Sequence, residues 1–305
     1  IWAEEQADEL ALVNRLRADV GRWRERDYEK ASKVTKDLLA WWRRKDAPRR
    51  LFFCQIEAVE TLIYLLELGL TGALSQARKK REVTQEDLAR LLAGQRPSFH
   101  LASEGSWPRL VDPPNEPGLL PLPRLGCKMA TGAGKTVVMA MLIAWAFCNR
   151  GRNRGSSWFP SAVLVCAPNL TVRERLQVLK PEDAKNYYDE FEIVPPKYRE
   201  LLNDGKVLVT NWHAFAPKSE HSEGGTSYRV VDKGEETSDA FTLDRLGDLA
   251  GRLPLLVLND EGHHCWRPAP GTAVGKAAKG VQKGLSAEER RSLEEEAEED
   301  RKSVV

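Results

Sequence analysis

Hydrophobic positions change their spacing several times along the chain, and each change predicts an element. Leu10, Val13, Leu16, Val20 and Trp23 recur every three or four residues among Glu, Arg and Asp, which predicts an amphipathic helix. Val34, Leu38, Leu39, Trp41 and Trp42 predict a second one. Residues 1–46 therefore read as a helical extension that packs on a neighbouring layer, in preference to an Arg/Trp surface for nucleic acid. Ala47-Pro48-Arg49-Arg50 breaks the pattern, and Leu51-Phe52-Phe53-Cys54-Gln55-Ile56 opens an apolar helix that runs to about residue 70. Further on, helical spacing gives way to short strand-like runs at 162–167, 206–211 and 255–259. The first, apolar throughout, fits a strand buried on both faces of a parallel sheet, and the other two are further strand candidates. Residues 124–129 are expected to form one more strand, and 137–145 an apolar helix. Strands alternating with helices predict an α/β fold with a central parallel sheet.

The remaining segments lack this patterning. Residues 71–94 hold a basic turn and a short helix opened by Thr84-x-x-Asp87, a capping-box pattern. Residues 95–123 are rich in Pro and Gly, and 216–245 in Gly, Ser and polar residues; both read as surface insertions. From 269 onward the chain is dominated by Lys, Glu and Arg, as in an exposed helix or charged tail.

Chemistry gathers where apolar runs end. Lys128-Met129-Ala130-Thr131-Gly132-Ala133-Gly134-Lys135-Thr136 precedes the apolar helix, giving the strand, small-residue loop and helix of a P-loop. Backbone N–H groups of such a loop and of the following helix can face a polyphosphate. Thr131, Gly132, Ala133 and Gly134 would cradle the polyphosphate of a nucleotide, Lys135 would reach the outer phosphates, and the Thr136 hydroxyl would take a position on Mg²⁺. The first position of the loop, usually Gly, is Met129. Asp260-Glu261 follows the apolar run Leu255-Leu256-Val257-Leu258-Asn259, and a carboxylate pair there suits Mg²⁺ binding by Asp260 and activation of water by Glu261. Taken alone, the pair would be read as a helix cap or surface acids. Gln55 is open to two readings: a buried polar residue at a helix start, or an amide that both donates to and accepts from the edge of adenine. Because ligands of open α/β sheets bind beyond the carboxyl ends of the strands, the P-loop, Pro168 to Thr171, Thr210-Asn211 and Asp260-Glu261 are expected on one edge.

Composition narrows the classes. The 305 residues are long enough for one large domain or two small ones, and a net charge of +1 with 30% charged residues leaves any nucleic-acid surface to a local patch such as Arg173, Arg175 and Lys180. No apolar run reaches the roughly 18 residues of a membrane span, and the acidic start Ile1-Trp2-Ala3-Glu4-Glu5 lacks the apolar core of a signal peptide. Five dispersed cysteines without a CxxC pair are expected as reduced core thiols of a cytoplasmic protein. His263, His264 and Cys265 have no second ligand cluster, so zinc is not expected. The absence of a starting Met reads as a fragment.

Phe-Phe-Cys-Gln55-Ile-Glu-Ala, Met-Ala-Thr-Gly-Ala-Gly-Lys135-Thr and Asp260-Glu-Gly-His-His resemble the Q-motif and motifs I and II of superfamily-2 DEAD/DEAH-box-like helicases. Within that superfamily, Phe52 to Glu60, Cys166 to Leu176 and Val209 to Phe215 are most similar to the motor of type III restriction enzymes, the Res subunit. The resemblance spans about residues 47–268, and Met129 is a common form of motif I there. It implies a RecA-like ATPase domain using ATP and Mg²⁺, with Gln55 reading adenine. It also implies that Pro168, Thr171, Thr210 and Asn211 grip the nucleic-acid backbone and that His263 couples hydrolysis to that site. Gly262 stands where Ala is commoner. Expected partners are double-stranded DNA, a second RecA-like domain and a modification or nuclease subunit. No second RecA-like domain, arginine finger or endonuclease motif is recognised after residue 268, so the isolated chain is expected to bind ATP weakly and hydrolyse it slowly. An RNA or DNA-repair helicase and a non-hydrolysing nucleotide-binding scaffold are the alternatives.

Overall fold

The computed structural model describes residues 11–69, 111–112, 122–215 and 238–262. The chain divides into two compact units, 1–261 and 262–305, and Gly262 is the sole described residue of the second. The predicted Thr84-x-x-Asp87 helix, most of both insertions, the charged tail and His263 lie outside the described residues.

The four longest described helices are α1 Ala11–Glu25, α2 Lys33–Trp42, α3 Phe53–Ile63 and α4 Lys135–Arg152. A π-helical turn, Tyr64–Gly69, extends α3. Helix α4 is the centre of the unit, because Val137, Val138, Ala140 to Asn149 are buried along its whole circumference. A helix apolar all round has no solvent face to offer and needs neighbours on every side. Helices α2 and α3 cover one side of it, and the 3-10 segment Pro196–Asp204 another.

Strands β3 Ala162–Ala167, β4 Lys206–Asn211 and β5 Leu255–Asn259 form a three-stranded parallel sheet in the order β4-β3-β5. All six residues of β3 are buried. Val163, Val165 and Ala167 face the main core with α4, whereas Ala162, Leu164 and Cys166 face a smaller cluster with Leu249. Period-two alternation with both faces covered is the reason the β3 sequence is continuously apolar. Two further short strands, β1 Val111–Asp112 and β2 Leu122–Pro123, pair antiparallel as a separate ribbon. Shorter helices α5 Leu170–Arg175, α6 Tyr187–Glu190 and α7 Ser238–Leu246 complete the unit, α7 covering the end of the predicted insertion at 216–245.

One expected strand is absent. Residues 124–130 form no regular element and pair with no strand, and 124–128 are exposed. Leu125, Cys127 and Met129 alternate there with Arg124, Gly126 and Lys128, so one face at most is apolar. A strand packed on both sides needs both faces apolar, and Leu125 is 44% exposed.

The N-terminal helices pack through most of the predicted positions, although Val13 is 41% exposed. Val20, Trp23, Val34, Leu38, Leu39 and Trp42 are buried in the main core. The Trp42 and Trp41 indoles donate to the Ile193 and Glu192 carbonyls, each at 2.7 Å. These tryptophans are thus committed to packing. The cysteine expectation holds for two thiols: Cys148 and Cys166 are buried, while Cys54 on the first turn of α3 and Cys127 ahead of the P-loop are exposed.

Gly205 shows how tightly α4 is enclosed. A Cβ there would lie 2.2 Å from the ring of Phe147, which is 1% exposed. Gly205→Ala is expected to destabilise the protein by about 1–3 kcal/mol through overpacking, read as a lower midpoint in thermal unfolding with unchanged secondary structure before the transition.

Candidate nucleotide-binding site

The loop ahead of α4 takes its shape from two glycines. Gly132 and Gly134 have φ of 75° and 80°, a region costly for any residue with a Cβ. Ala133 N–H closes a turn onto the Ala130 carbonyl at 3.2 Å, and the chain then enters α4 with Gly134 as its N-cap. The first N–H groups of a helix have no partner within it and create a positive end that suits an anion. Lys135 and Thr136 are the first two residues of this 18-residue helix.

Gln55 meets the loop directly. Its amide nitrogen donates to the Ala133 carbonyl at 3.1 Å, and its amide oxygen accepts from the Phe52 N–H at 2.8 Å. Gln55 is 4% exposed, and a Cβ on Gly134 would sit 2.1 Å from its amide nitrogen. The amide thus closes the N-terminus of α3 and props the P-loop, and an adenine edge would compete with one of those bonds. Beside it, Phe52 and Phe53 are 61% and 71% exposed, two flat apolar faces that the reading of the sequence passed over.

Parallel register brings the other residues to the same sheet edge. Cys166 pairs with Thr210 on one side and Asn259 on the other, and Ala167 pairs with Asn211. Pro168 and Thr171 follow β3, Thr210 and Asn211 end β4, and Asp260 follows β5, where its N–H donates to the Cys166 carbonyl at 3.0 Å. Thr171 is exposed on α5, whose N-cap Asn169 accepts from the Val172 N–H, and Arg173 and Arg175 lie in its last turn. The anticipated common edge is therefore observed for these positions.

The P-loop and the acid pair touch. Lys135 Nζ lies 2.7 Å from Glu261 Oε1, across 126 residues of sequence, and both side chains are partly exposed. The hydrogen bond from Lys135 to Glu261 raises the ammonium pKa against burial, with the charges of Glu261 and Asp260 adding to it. Asp260 is raised as well, chiefly by burial and then by the negative charge of Glu261, against the opposing pull of Lys135. Glu261 has a φ of 51°, a left-handed conformation unusual for a residue with a long side chain.

These features fit a nucleotide and a hard divalent cation. Left-handed glycines open the loop to close approach, the helix start offers N–H donors, and Lys135 carries a mobile charge. Thr136 and Asp260 offer the oxygen donors that Mg²⁺ prefers. The raised Asp260 sits in a half-buried, doubly acidic corner that a cation would relieve.

A family model described as type III restriction enzyme, res subunit, matches residues 121–287, more than half of the chain. The chain belongs to this family. The domain is thus the RecA-like helicase/ATPase domain of superfamily-2 type, and the α/β fold with its parallel sheet agrees with it. The matched span holds the P-loop and Asp260-Glu261, whereas Gln55 and helices α1 to α3 precede it. No curated protein and no solved structure matches the chain. No described helix of this Res-family chain is long and apolar enough to cross a membrane.

Proposed function

We propose that the chain is the first motor domain of an ATP-dependent DNA translocase of a type III-like restriction system. The observation that carries this reading is the contact between Lys135 of the P-loop and Glu261 of the acid pair at the carboxyl edge of the sheet. It joins a phosphate-binding group to a proton acceptor in one place. Gly132, Ala133, Gly134 and the α4 N-terminus would hold the phosphates of ATP, with Lys135 turning from Glu261 to the outer phosphates. Thr136 and Asp260 would hold Mg²⁺, which when bound neutralises phosphate charge. Glu261, released from Lys135, accepts the proton of the attacking water. Gln55 and the exposed rings of Phe52 and Phe53 would border the base. Pro168, Thr171, Thr210 and Asn211, with Arg173 and Arg175, would meet the DNA backbone beside the ATP site, and His263 would couple the two. In this reading, full turnover needs an arginine from a second RecA-like domain, a contribution worth ~10³–10⁵ in related NTPases.

The test is a titration of Mg-ATP binding together with phosphate release in the presence of duplex DNA, single-stranded DNA or RNA. Lys135→Ala is expected to weaken Mg-ATP binding at least about tenfold, the loss of one charge-assisted contact. Duplex DNA is expected to stimulate turnover most. Preferential stimulation by RNA would favour an RNA helicase, and tight nucleotide binding with no turnover under any activator would favour a scaffold.

A further inference from the structure

Glu60 lies on α3, between one and two turns beyond Gln55, and is fully buried. Three points of the N-terminal helical layer converge on its carboxylate. Arg24, from α1, approaches at 2.5 and 3.2 Å; Arg43, the C-cap of α2, at 2.6 and 2.7 Å; and the Tyr28 hydroxyl donates at 2.7 Å from the α1–α2 connection. Two guanidinium forks and a phenol hold one carboxylate in place. A second fork, Arg17 to Glu57 at 2.7 and 3.2 Å, repeats the tie between α1 and α3. The far end of the same helix props the P-loop through Gln55, with no room for even a methyl group at Gly134.

Ion pairs of this kind add little net stability over an apolar packing, because desolvation offsets the attraction. Their effect is to choose one position of α3 over others. A stiff helix of this length transmits a shift at one end to the other, and the close packing of Gln55 on Gly134 leaves no slack there.

We propose that the N-terminal helical layer positions the P-loop for nucleotide, acting through the Arg24–Glu60–Arg43 clamp, α3 and Gln55. Glu60, Arg24 and Arg43 are positioning residues in this arrangement; Gln55 is the group that contacts the loop. The inference rests on the reading of the P-loop as an ATP site, and it gives a catalytic purpose to a layer that precedes the family-matched span.

The experiment is a double-mutant cycle on the full chain, with Mg-ATP affinity and thermal midpoint both measured. Arg43→Ala leaves Glu60 paired with Arg24 and Tyr28. It is expected to raise the Mg-ATP Kd about five- to tenfold, the lower range of couplings between sites. In the Gln55→Ala background the same change is expected to alter the Kd less than about twofold, because the connection is already cut. Arg43→Lys, which keeps the charge without the fork, is expected to recover part of the affinity. A purely structural clamp gives a different pattern: a lower midpoint in both backgrounds with an unchanged Kd, which overturns the proposal, as does a Kd effect of equal size in both backgrounds. Should Arg43→Ala not fold, Arg24→Lys carries the same cycle. Failure of the wild-type chain to bind Mg-ATP sinks the ATP reading itself, whereas binding without the predicted coupling sinks only the positioning role.

Discussion

Glu261→Gln is expected to lower ATP turnover by about 10²–10⁴-fold, the usual contribution of a positioned general base, while Mg-ATP binding tightens. The two effects have one origin. Glu261 holds Lys135 at 2.7 Å, so phosphates would compete with a carboxylate for the ammonium. Glutamine keeps the shape but not the charge, and the lysine becomes easier to recruit. The proton acceptor is lost by the same substitution. Steady-state phosphate release, set beside equilibrium nucleotide binding, separates the two. Turnover within a few-fold of wild type would remove Glu261 from the role of base, and weaker binding would contradict the competition between carboxylate and phosphate. The left-handed φ of 51° at Glu261 adds to the argument, since strained backbone at an acid poised beside a phosphate-binding lysine is where function tends to be found.

Glu60→Ala is expected to cost about 3 kcal/mol of stability, the lower end of the range for removing one member of a buried ion pair. The lower end applies because Arg24 and Arg43 are about a third exposed and recover part of their hydration. Urea unfolding of the two proteins measures the difference; a loss below about 0.5 kcal/mol, typical of neutral surface changes, would show that the clamp carries no weight. The pH dependence has a defined sign. Burial alone would raise the Glu60 pKa, but hydrogen bonds from Arg43, Arg24 and Tyr28 outweigh it and hold the carboxylate below its ordinary value. A carboxylate depressed in the folded state contributes stability that is complete above its unfolded pKa, about 4.3, and is lost as the pH falls through the folded value. The wild-type chain should lose stability in that acidic window, and Glu60→Ala should lose less.

Much of the site was legible because its signals are local. Gly132 and Gly134 are glycines for a backbone reason that acts within the loop, and both prove left-handed. The six apolar residues of β3 announced a strand covered on both sides, and Asp260 follows β5 where a ligand edge should be. Gln55 was recognised as a residue of interest, yet its observed partners are the Phe52 N–H and the Ala133 carbonyl. The partner lies 78 residues away, and no spacing rule points to it. The strand expected at 124–129 does not form, and Arg124, Gly126 and Lys128 alternate there with its apolar residues.

Glu60 marks the limit of what local reading can reach. In sequence it is one acid on an apolar helix, with nothing to distinguish it from Glu57 three residues earlier. Burial and two arginine forks distinguish it, and those depend on how α1 and α2 lie against α3. The sequence alone determined the P-loop, the apolar strands, the acid pair and the amphipathic faces of the N-terminal helices, because each follows from residue chemistry at fixed short spacing. Tertiary structure alone decided that Lys135 meets Glu261, that Gln55 props Ala133 and that three N-terminal groups share Glu60. Polar partners are chosen by which surfaces the folded core leaves adjacent, and that choice belongs to the packing of the whole unit.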